Sequence, residues 1–204
     1  YTTLSDLEYS EVEAPARMIA AEYYDPGTMG GAMDASSPTI NQTSFSEKDG
    51  ITTVVTLLKY VSKEARDAAI STGMTDGMET SYARLDTLAQ NNREADMVRT
   101  MEKAQVSLPS DTEVRVTRDF AAPRQLVWRA HTDPKLVRRW MLGPPGWSMP
   151  VCEMDVRPGG KYRWRWRSDQ NGAEFGFHGD FPTGIRAMGW FAIISLPLTA
   201  ALAC

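Results

Sequence analysis

Alternating polar and apolar residues predict strands along most of the first half of the chain. Extended, β-prone runs occupy residues 5–25 and are followed by a Gly-, Ser- and Pro-rich loop that extends to Pro38. Residues 43–60 are rich in β-branched side chains on both sides of Asp49-Gly50, a favoured turn pair. We therefore predict a strand pair followed by a β-hairpin.

The second half of the chain shows the same alternation more sharply. The pattern predicts three strands, at residues 114–120, 149–156 and 173–181. Between them, the segment 161–167 places its aromatic residues on one face and its basic residues on the other. The aromatic residues are Tyr162, Trp164 and Trp166. We expect this aromatic face to point into the protein and the cations to face solvent.

Helical periodicity is clearest between residues 62 and 90. Ser62 is a suitable N-cap, and an apolar stripe follows at alternating steps of four and three. The stripe consists of Met74, Met78, Ser81, Leu85 and Leu88, with Tyr82 beside it. A second, weaker helix is predicted at 93–106, and short helices are predicted to begin at Pro123 and at Asp133-Pro134.

These elements predict an α+β fold with an antiparallel sheet. The strands are connected mainly by hairpins, which favours antiparallel pairing. The long 62–90 helix must bury its apolar stripe, and packing it across one face of a curved sheet satisfies both elements. We therefore expect a curved antiparallel sheet wrapped around this helix.

Composition and charge narrow the possible functions. The 204 residues are 42% hydrophobic and 24% charged, which is ordinary for a globular protein. The net charge of −4 argues against nucleic acid as the main partner. Residues 1–91 carry 14 acids and 6 bases, whereas residues 92–204 carry 12 acids and 16 bases, so the two parts should attract each other.

Residues capable of catalysis or metal binding are few. His131 and His178 are far apart in sequence and are expected to be structural or exposed, and the two cysteines have no metal-binding spacing. Glu174 and Asp180 share one strand face, which we interpret as an exposed face of the sheet. No known nucleophile, metal or nucleotide motif is present. We predict no catalytic residue, no metal and no cofactor.

Several segments resemble the START-like (SRPBCC) superfamily, and the closest branch is that of activator of heat-shock-protein-90 ATPase homologue-like proteins. The opening pattern of such a domain is carried by Phe120, Pro123, Trp128, Asp133, Pro134, Trp140, Asp155, Arg157, Gly159, Gly160, His178, Gly179 and Phe181. The closing pattern is carried by Glu11–Met18, Ser62–Asp67 and Gly73–Leu88. The resemblance implies a helix-grip fold, in which a curved sheet wraps around the closing helix.

The closing part of the family pattern precedes the opening part in this chain. One interpretation is a tandem protein: residues 1–91 close a first domain, 92–109 form a linker and 110–182 open a second domain. The overlap of the strand patterns at 1–9 and 173–181 favours this interpretation. The alternative is a permuted single domain in which the two halves complement each other. Residues 183–204 depart from the family pattern.

The resemblance implies an elongated apolar cavity between helix and sheet. We expect it to bind a small hydrophobic or amphipathic molecule, with affinity arising mainly from apolar burial. The expected ligand contacts are Met74, Met78, Tyr82, Trp140, Tyr162, Trp164, Trp166 and Phe177. Two alternatives remain open, a co-chaperone-like contact with a heat-shock ATPase and a cyclase- or hydrolase-like enzyme. A further interpretation is that the chain is an incomplete fragment.

The apolar segment 187–204 carries no charge and is close to the length that spans a bilayer. It fits a shifted reading frame or misassembled end, a membrane or hydrophobic anchor, or a core element. We expect no membrane association unless this tail is genuine. With no secretory signal and no disulfide framework, the expected location is the cytoplasm.

Overall fold

A computed structural model describes residues 12–31, 33–90 and 101–183 of the chain. The predictions for residues 1–11, for 93–100 and for the 187–204 tail lie outside these residues. The described strands are β1 (Val12–Glu13), β2 (Arg17–Asp25), β3 (Thr39–Lys48), β4 (Ile51–Lys59), β5 (Gln105–Ser107), β6 (Glu113–Phe120), β7 (Trp147–Met154), β8 (Lys161–Ser168) and β9 (Glu174–Asp180). The helices are α1 (Lys63–Ser71), α2 (Met74–Gln90), α3 (Arg124–Thr132) and α4 (Pro134–Trp140).

All described strands belong to one antiparallel sheet. Its order is β5-β6-β4-β3-β2-β9-β8-β7, with β1 pairing beside β2. The two halves of the chain meet twice in this sheet, where β4 pairs with β6 and where β2 pairs with β9. The α+β class with a large antiparallel sheet is therefore confirmed, and the architecture is consistent with a helix-grip fold. The division of the chain into parts of two domains stays a prediction.

The Asp49-Gly50 turn confirms the predicted hairpin between β3 and β4. Both residues have positive φ angles, 53° for Asp49 and 73° for Gly50. Asparagine, aspartate and glycine tolerate this left-handed region best, and a two-residue turn of this kind matches the twist of the flanking strands. The turn places Lys48 opposite Ile51 and aligns the two strands over their full length.

The prediction of one continuous helix over 62–90 is wrong. Ser62 does cap the first helix, because its hydroxyl accepts a hydrogen bond from the Ala65 N–H at 3.2 Å. The helix ends at Thr72, however, and α2 begins after Gly73, whose φ is 77°. A glycine with positive φ is the usual terminator of a helix, so the chain changes direction here and forms two helices.

The weaker helix predicted at 93–106 is also wrong at its C-terminal end. Residues 101–104 have no regular structure, and Gln105–Ser107 form the edge strand β5 against β6. Pairing with the exposed edge of β6 outweighs the local helical tendency of this segment. The short helices predicted from Pro123 and from Asp133-Pro134 are confirmed as α3 and α4.

The core contains three apolar clusters between the sheet and the helices. The first joins α2 and α3 to β3, β4 and β6 and includes Phe45, Val54, Leu58, Tyr82, Leu85, Val114, Val116, Phe120, Trp128 and Trp140. The second joins α4 to β7 and β8 and consists of Val137, Met149, Cys152 and Trp166. The third consists of Ala20, Tyr162 and Phe181. None of the described helices is long and apolar enough to cross a membrane.

Arg118 is a buried cation within the apolar row of β6. Its side chain is 3% exposed and forms ion pairs with Asp86, at 2.5 Å, and with Glu79, at 3.6 Å. It also donates a hydrogen bond to the carbonyl oxygen of Glu102. Burial raises the pKa of Asp86 even beside this guanidinium. Arg118 therefore links β6 to α2 through its ion pairs with two acids of the helix.

We predict that Arg118→Ala lowers the free energy of unfolding by about 2–3 kcal/mol, because it removes the counter-charge of two half-buried carboxylates, whose remaining solvent contact keeps the loss below that of a fully buried pair. The control is Arg115→Ala on the exposed side of the same strand, which should cost less than about 0.5 kcal/mol. Urea unfolding of both variants measures the difference. Equal losses in the two variants would contradict the stabilising role of this cluster.

Candidate functional site

Two of the predicted ligand contacts, Tyr82 and Trp140, lie deep in the first cluster. They are 4% and 3% exposed, and their rings stack with centroids 5.9 Å apart. The Trp140 indole Nε1–H donates a hydrogen bond to the Ala130 carbonyl at 2.9 Å. The polar atom of Trp140 is therefore satisfied within the protein, and both rings contribute to packing between helices.

Trp166 also has an internal partner. Its Nε1–H donates to the Met141 carbonyl at 2.8 Å, and its ring stacks on Phe175 at 5.2 Å. This places Trp166 in the second cluster, under α4. Helix α2 packs mainly against β6, α3 and α4, so its stripe and Trp166 belong to different clusters.

The other predicted contacts lie on α2 or on the inner side of the sheet, which the helices cover and which we call the concave side. Met74, Met78, Trp164 and Phe177 are partly exposed, whereas Tyr162 is 4% exposed. Met74 and Met78 border the first cluster, and Phe177 borders the second. The predicted set is thus divided between buried packing residues and residues that retain an accessible surface.

The three clusters meet at a group of partly exposed apolar side chains, which we call the concave site. Each member packs against two of the clusters. The members used below are Met18 on β2, Met141 after α4, Met154 on β7, Val156 after β7 and Trp164 on β8. Most of them are methionines, whose unbranched side chains adapt to differently shaped neighbours.

Trp164 has an unsatisfied polar atom at this position. Its ring lies 4.6 Å from the ring of Tyr162, between centroids, and it pairs across strands with Phe177. The indole Nε1 is buried, and no atom of the described residues accepts a hydrogen bond from it. Buried N–H groups in proteins nearly always have a partner, so this donor is a candidate contact for a bound molecule.

Glu22 is a polar residue of the concave side that the sequence analysis did not select. It follows Met18 and Ala20 at intervals of two on β2, so it shares their face. The Tyr162 hydroxyl donates a hydrogen bond to the Glu22 carboxylate at 2.9 Å. The available sequence signal was this carboxylate in an otherwise apolar stripe, but one residue in an alternating pattern does not reveal its cross-strand partner.

Gly179 makes the contact between Glu22 and Tyr162 possible. It lies between them in the sheet, paired with Glu22 on β2 and with Tyr162 on β8. A Cβ atom at this position would lie 2.9 Å from the Tyr162 hydroxyl oxygen and 2.0 Å from the Ala21 carbonyl oxygen. The missing side chain therefore leaves the space through which the phenol reaches the acid.

Burial changes the proton affinity of this group of residues. It raises the pKa of Glu22 to about 7, and the Tyr162 hydrogen bond opposes this only in part. Burial also raises the pKa of Tyr162 and of Tyr60, and the nearby Glu22 charge raises both further. The concave side thus carries one carboxyl group that changes its charge near neutral pH and two phenols that stay protonated.

The two histidines have the structural and surface positions expected from the sequence. His131 is buried among Phe45, Phe120 and Trp140, and burial lowers its pKa to about 4. His178 is exposed on the outer face and stacks on Tyr23 at 5.7 Å. The described residues contain no group of side chains suited to hold a metal ion.

The outer face of the sheet carries the charged residues of β8. Arg165 pairs with Glu174 at 3.2 Å and also with Asp25, which agrees with the prediction of an exposed charged face. A shallow depression of about 520 Å³ lies on this side, around Arg163 and His178. A second, smaller depression lies around Pro38 and Tyr60, and neither of these two depressions lies between α2 and β8. The elongated cavity implied by the resemblance is not among them.

Part of the chain is similar to a known protein family. Residues 121–185 match the family model of Activator of Hsp90 ATPase homolog 1-like protein. The matched segment is thus similar to a domain of this type, which belongs to the SRPBCC superfamily. It contributes Trp164, Tyr162 and Gly179 to the site, whereas Glu22 and α2 lie outside the match. No curated protein and no solved structure matches the chain.

We predict that Glu22 makes stability fall as the pH rises. A raised pKa means that the folded protein binds the proton more tightly than the unfolded chain does. The stabilisation is therefore complete below the ordinary glutamate pKa of 4.5 and is lost as the pH passes through about 7. Glu22→Gln keeps a hydrogen-bond acceptor and removes the titration.

Urea unfolding at pH 5 and pH 8 tests this prediction. Relative to Glu22→Gln, the unmodified protein should lose about 1–3 kcal/mol between the two pH values, with the lower part of this range favoured because Glu22 retains some solvent contact. Glu153→Gln, which removes an exposed acid, serves as the control and should behave like the unmodified protein. Identical pH dependence in all three proteins would contradict the raised pKa.

Proposed function

We propose that the protein binds a small hydrophobic or amphipathic molecule at the concave site. The observation that carries the proposal is the buried Trp164 N–H, which lacks a partner among the described residues and lies within a partly exposed apolar surface. Apolar surface supplies affinity for such a ligand, and a small number of polar groups fixes its orientation. The SRPBCC match over 121–185 supports the same role.

The methionines explain how a ligand would enter a closely packed region. Met18, Met141 and Met154 each lie between two clusters and remain partly exposed. A methionine side chain rotates about three bonds and fills irregular spaces, so it can withdraw from a ligand at small cost. The concave site is therefore suited to open when an apolar molecule binds, and it does not need a preformed cavity.

The continuous sheet supports the permuted single-domain alternative for the site. Trp164 comes from the second half of the chain, whereas Met18 and Glu22 come from the first. The β2–β9 pairing brings these residues to one surface, with Tyr24 opposite Phe177. We infer that one binding site is assembled from both halves.

A second candidate function is proton-transfer catalysis of the cyclase or hydrolase kind. Glu22 favours it, since a carboxyl group with a pKa near 7 is suited to exchange protons at neutral pH. This enzyme alternative requires ionisable groups within the binding region, and Glu22 satisfies that requirement. The heat-shock ATPase contact suggested by the family name stays a prediction.

Fluorescence titration with N-phenyl-1-naphthylamine tests the binding proposal. We expect saturable binding to the full chain and an affinity loss of about tenfold in Trp164→Ala, which removes a large apolar wall. Tyr23→Ala removes a ring from the opposite face of the sheet and should bind the probe like the unmodified protein.

Thermal unfolding of both variants shows whether they remain folded under the titration conditions. Probe binding that does not saturate, or equal losses in the Trp164 and Tyr23 variants, would contradict the proposal. For the enzyme alternative, the expected result is turnover of an ester or cyclisable substrate that disappears in Glu22→Gln.

A further inference from the structure

We propose that Glu22 selects amphipathic amines, whose ammonium group it binds while the apolar part lies on the concave site. This inference rests on the proposed small-molecule binding and adds the chemical class of the ligand. It derives from three observations about the inner side of β2, β8 and β9: the partners of the acid, the rings around it and the charges near it.

The carboxylate of Glu22 has unused hydrogen-bonding capacity. An ionised carboxylate accepts about four hydrogen bonds, and among the described residues only the Tyr162 hydroxyl donates one to Glu22. The nearby Tyr60 hydroxyl donates instead to the Met74 sulfur at 3.5 Å. The second carboxylate oxygen is therefore available to a ligand N–H.

No cation of the described residues compensates the charge of Glu22. The acids of the outer face behave differently, since Asp25 and Glu174 both pair with Arg165. The half-buried acids Asp86 and Glu79 likewise share Arg118. A half-buried carboxylate without a counter-charge loses part of its hydration, and a ligand that carries a positive charge offsets this cost when it binds.

Aromatic rings surround the position next to the acid. In the row of residues beside Glu22, Tyr24 pairs with Phe177, which pairs in turn with Trp164. The Tyr24 and Phe177 rings are 5.5 Å apart, and Trp164 lies 4.6 Å from Tyr162. Ring faces attract organic cations, so these side chains favour an ammonium group over a neutral or anionic group of the same size.

The apolar surface beyond the rings favours a ligand whose remaining part is also apolar. Met18, Met154 and Val156 extend from the third cluster toward the first and the second. A short alkyl or aryl chain attached to the ammonium group would lie along these side chains. A fully hydrophilic amine would gain little there, and a fatty acid would place a second negative charge beside Glu22.

Competition between three ligands with the same chain tests the proposal. Decylamine, decanol and decanoate, each below its micelle concentration, displace N-phenyl-1-naphthylamine from the full chain at pH 8. We expect decylamine to bind at least about tenfold more tightly than decanol, and decanoate to bind more weakly than either. This comparison in the unmodified protein requires no variant to fold.

Two matched variants locate the preference. In Glu22→Gln, decylamine and decanol should bind within about twofold of each other. In Glu153→Gln, which removes one acid from the outer face, the preference for decylamine should persist. Thermal unfolding checks that both variants are folded.

The outcomes separate this inference from the proposed function. Saturable probe binding without a preference for decylamine overturns the amine proposal and leaves small-molecule binding intact. Absence of probe binding overturns both. A preference that survives in Glu22→Gln, or that is lost in Glu153→Gln, also overturns the proposal, because it would then reflect general surface charge.

Discussion

The pairing of β2 with β9 is the constraint on which the rest of the structure depends. Its register sets Tyr24 opposite Phe177 and Glu22 opposite Gly179. Because β9 also pairs with β8, the same register brings Tyr162 within hydrogen-bonding distance of Glu22. A shift by one residue would turn Glu22 to the outer face and move Ala20 and Met18 away from the third cluster, so packing in this cluster favours the register that creates the polar contact.

The acids on the two faces of β2 and β9 have different partners. On the outer face, Arg165 lies between Asp25 and Glu174, and water screens what these pairs do not neutralise. On the inner face, Glu22 has only a phenol as its partner among the described residues. Rings and thioethers lie around Glu22 where a cation lies beside Asp25 and Glu174, and burial raises the pKa of Glu22.

Local signals in the sequence were enough to predict much of this fold. Asp49-Gly50 defined the hairpin, Ser62 marked the start of a helix, and the alternation in 161–167 identified the aromatic face. The break at Gly73 was missed because the apolar stripe continues through it, and periodicity does not register one residue with positive φ. Strand β5 was missed because its only support is a partner edge that local sequence does not describe.

The site was harder to predict than the fold, because its contacts join residues that are far apart in sequence. Trp164 could be selected from its own strand, whereas Glu22 acquires its significance from Tyr162, which is 140 residues away in sequence. Tyr82 and Trp140 were selected as large aromatic residues, but aromatic character alone does not distinguish a ligand contact from close packing.

Gly179 has a consequence for how such a site can diversify. Its missing side chain is enclosed by the Ala21 backbone as well as by the Tyr162 phenol, so a larger residue there would displace main chain in two strands. The Glu22 side chain, by contrast, makes a hydrogen bond to the Tyr162 hydroxyl and belongs to none of the apolar clusters, so a different side chain at position 22 does not require the main chain to move. Substitutions at position 22 can therefore change the charge that the binding surface presents to a ligand. Position 179, in contrast, must remain glycine in any variant that keeps this pairing of strands.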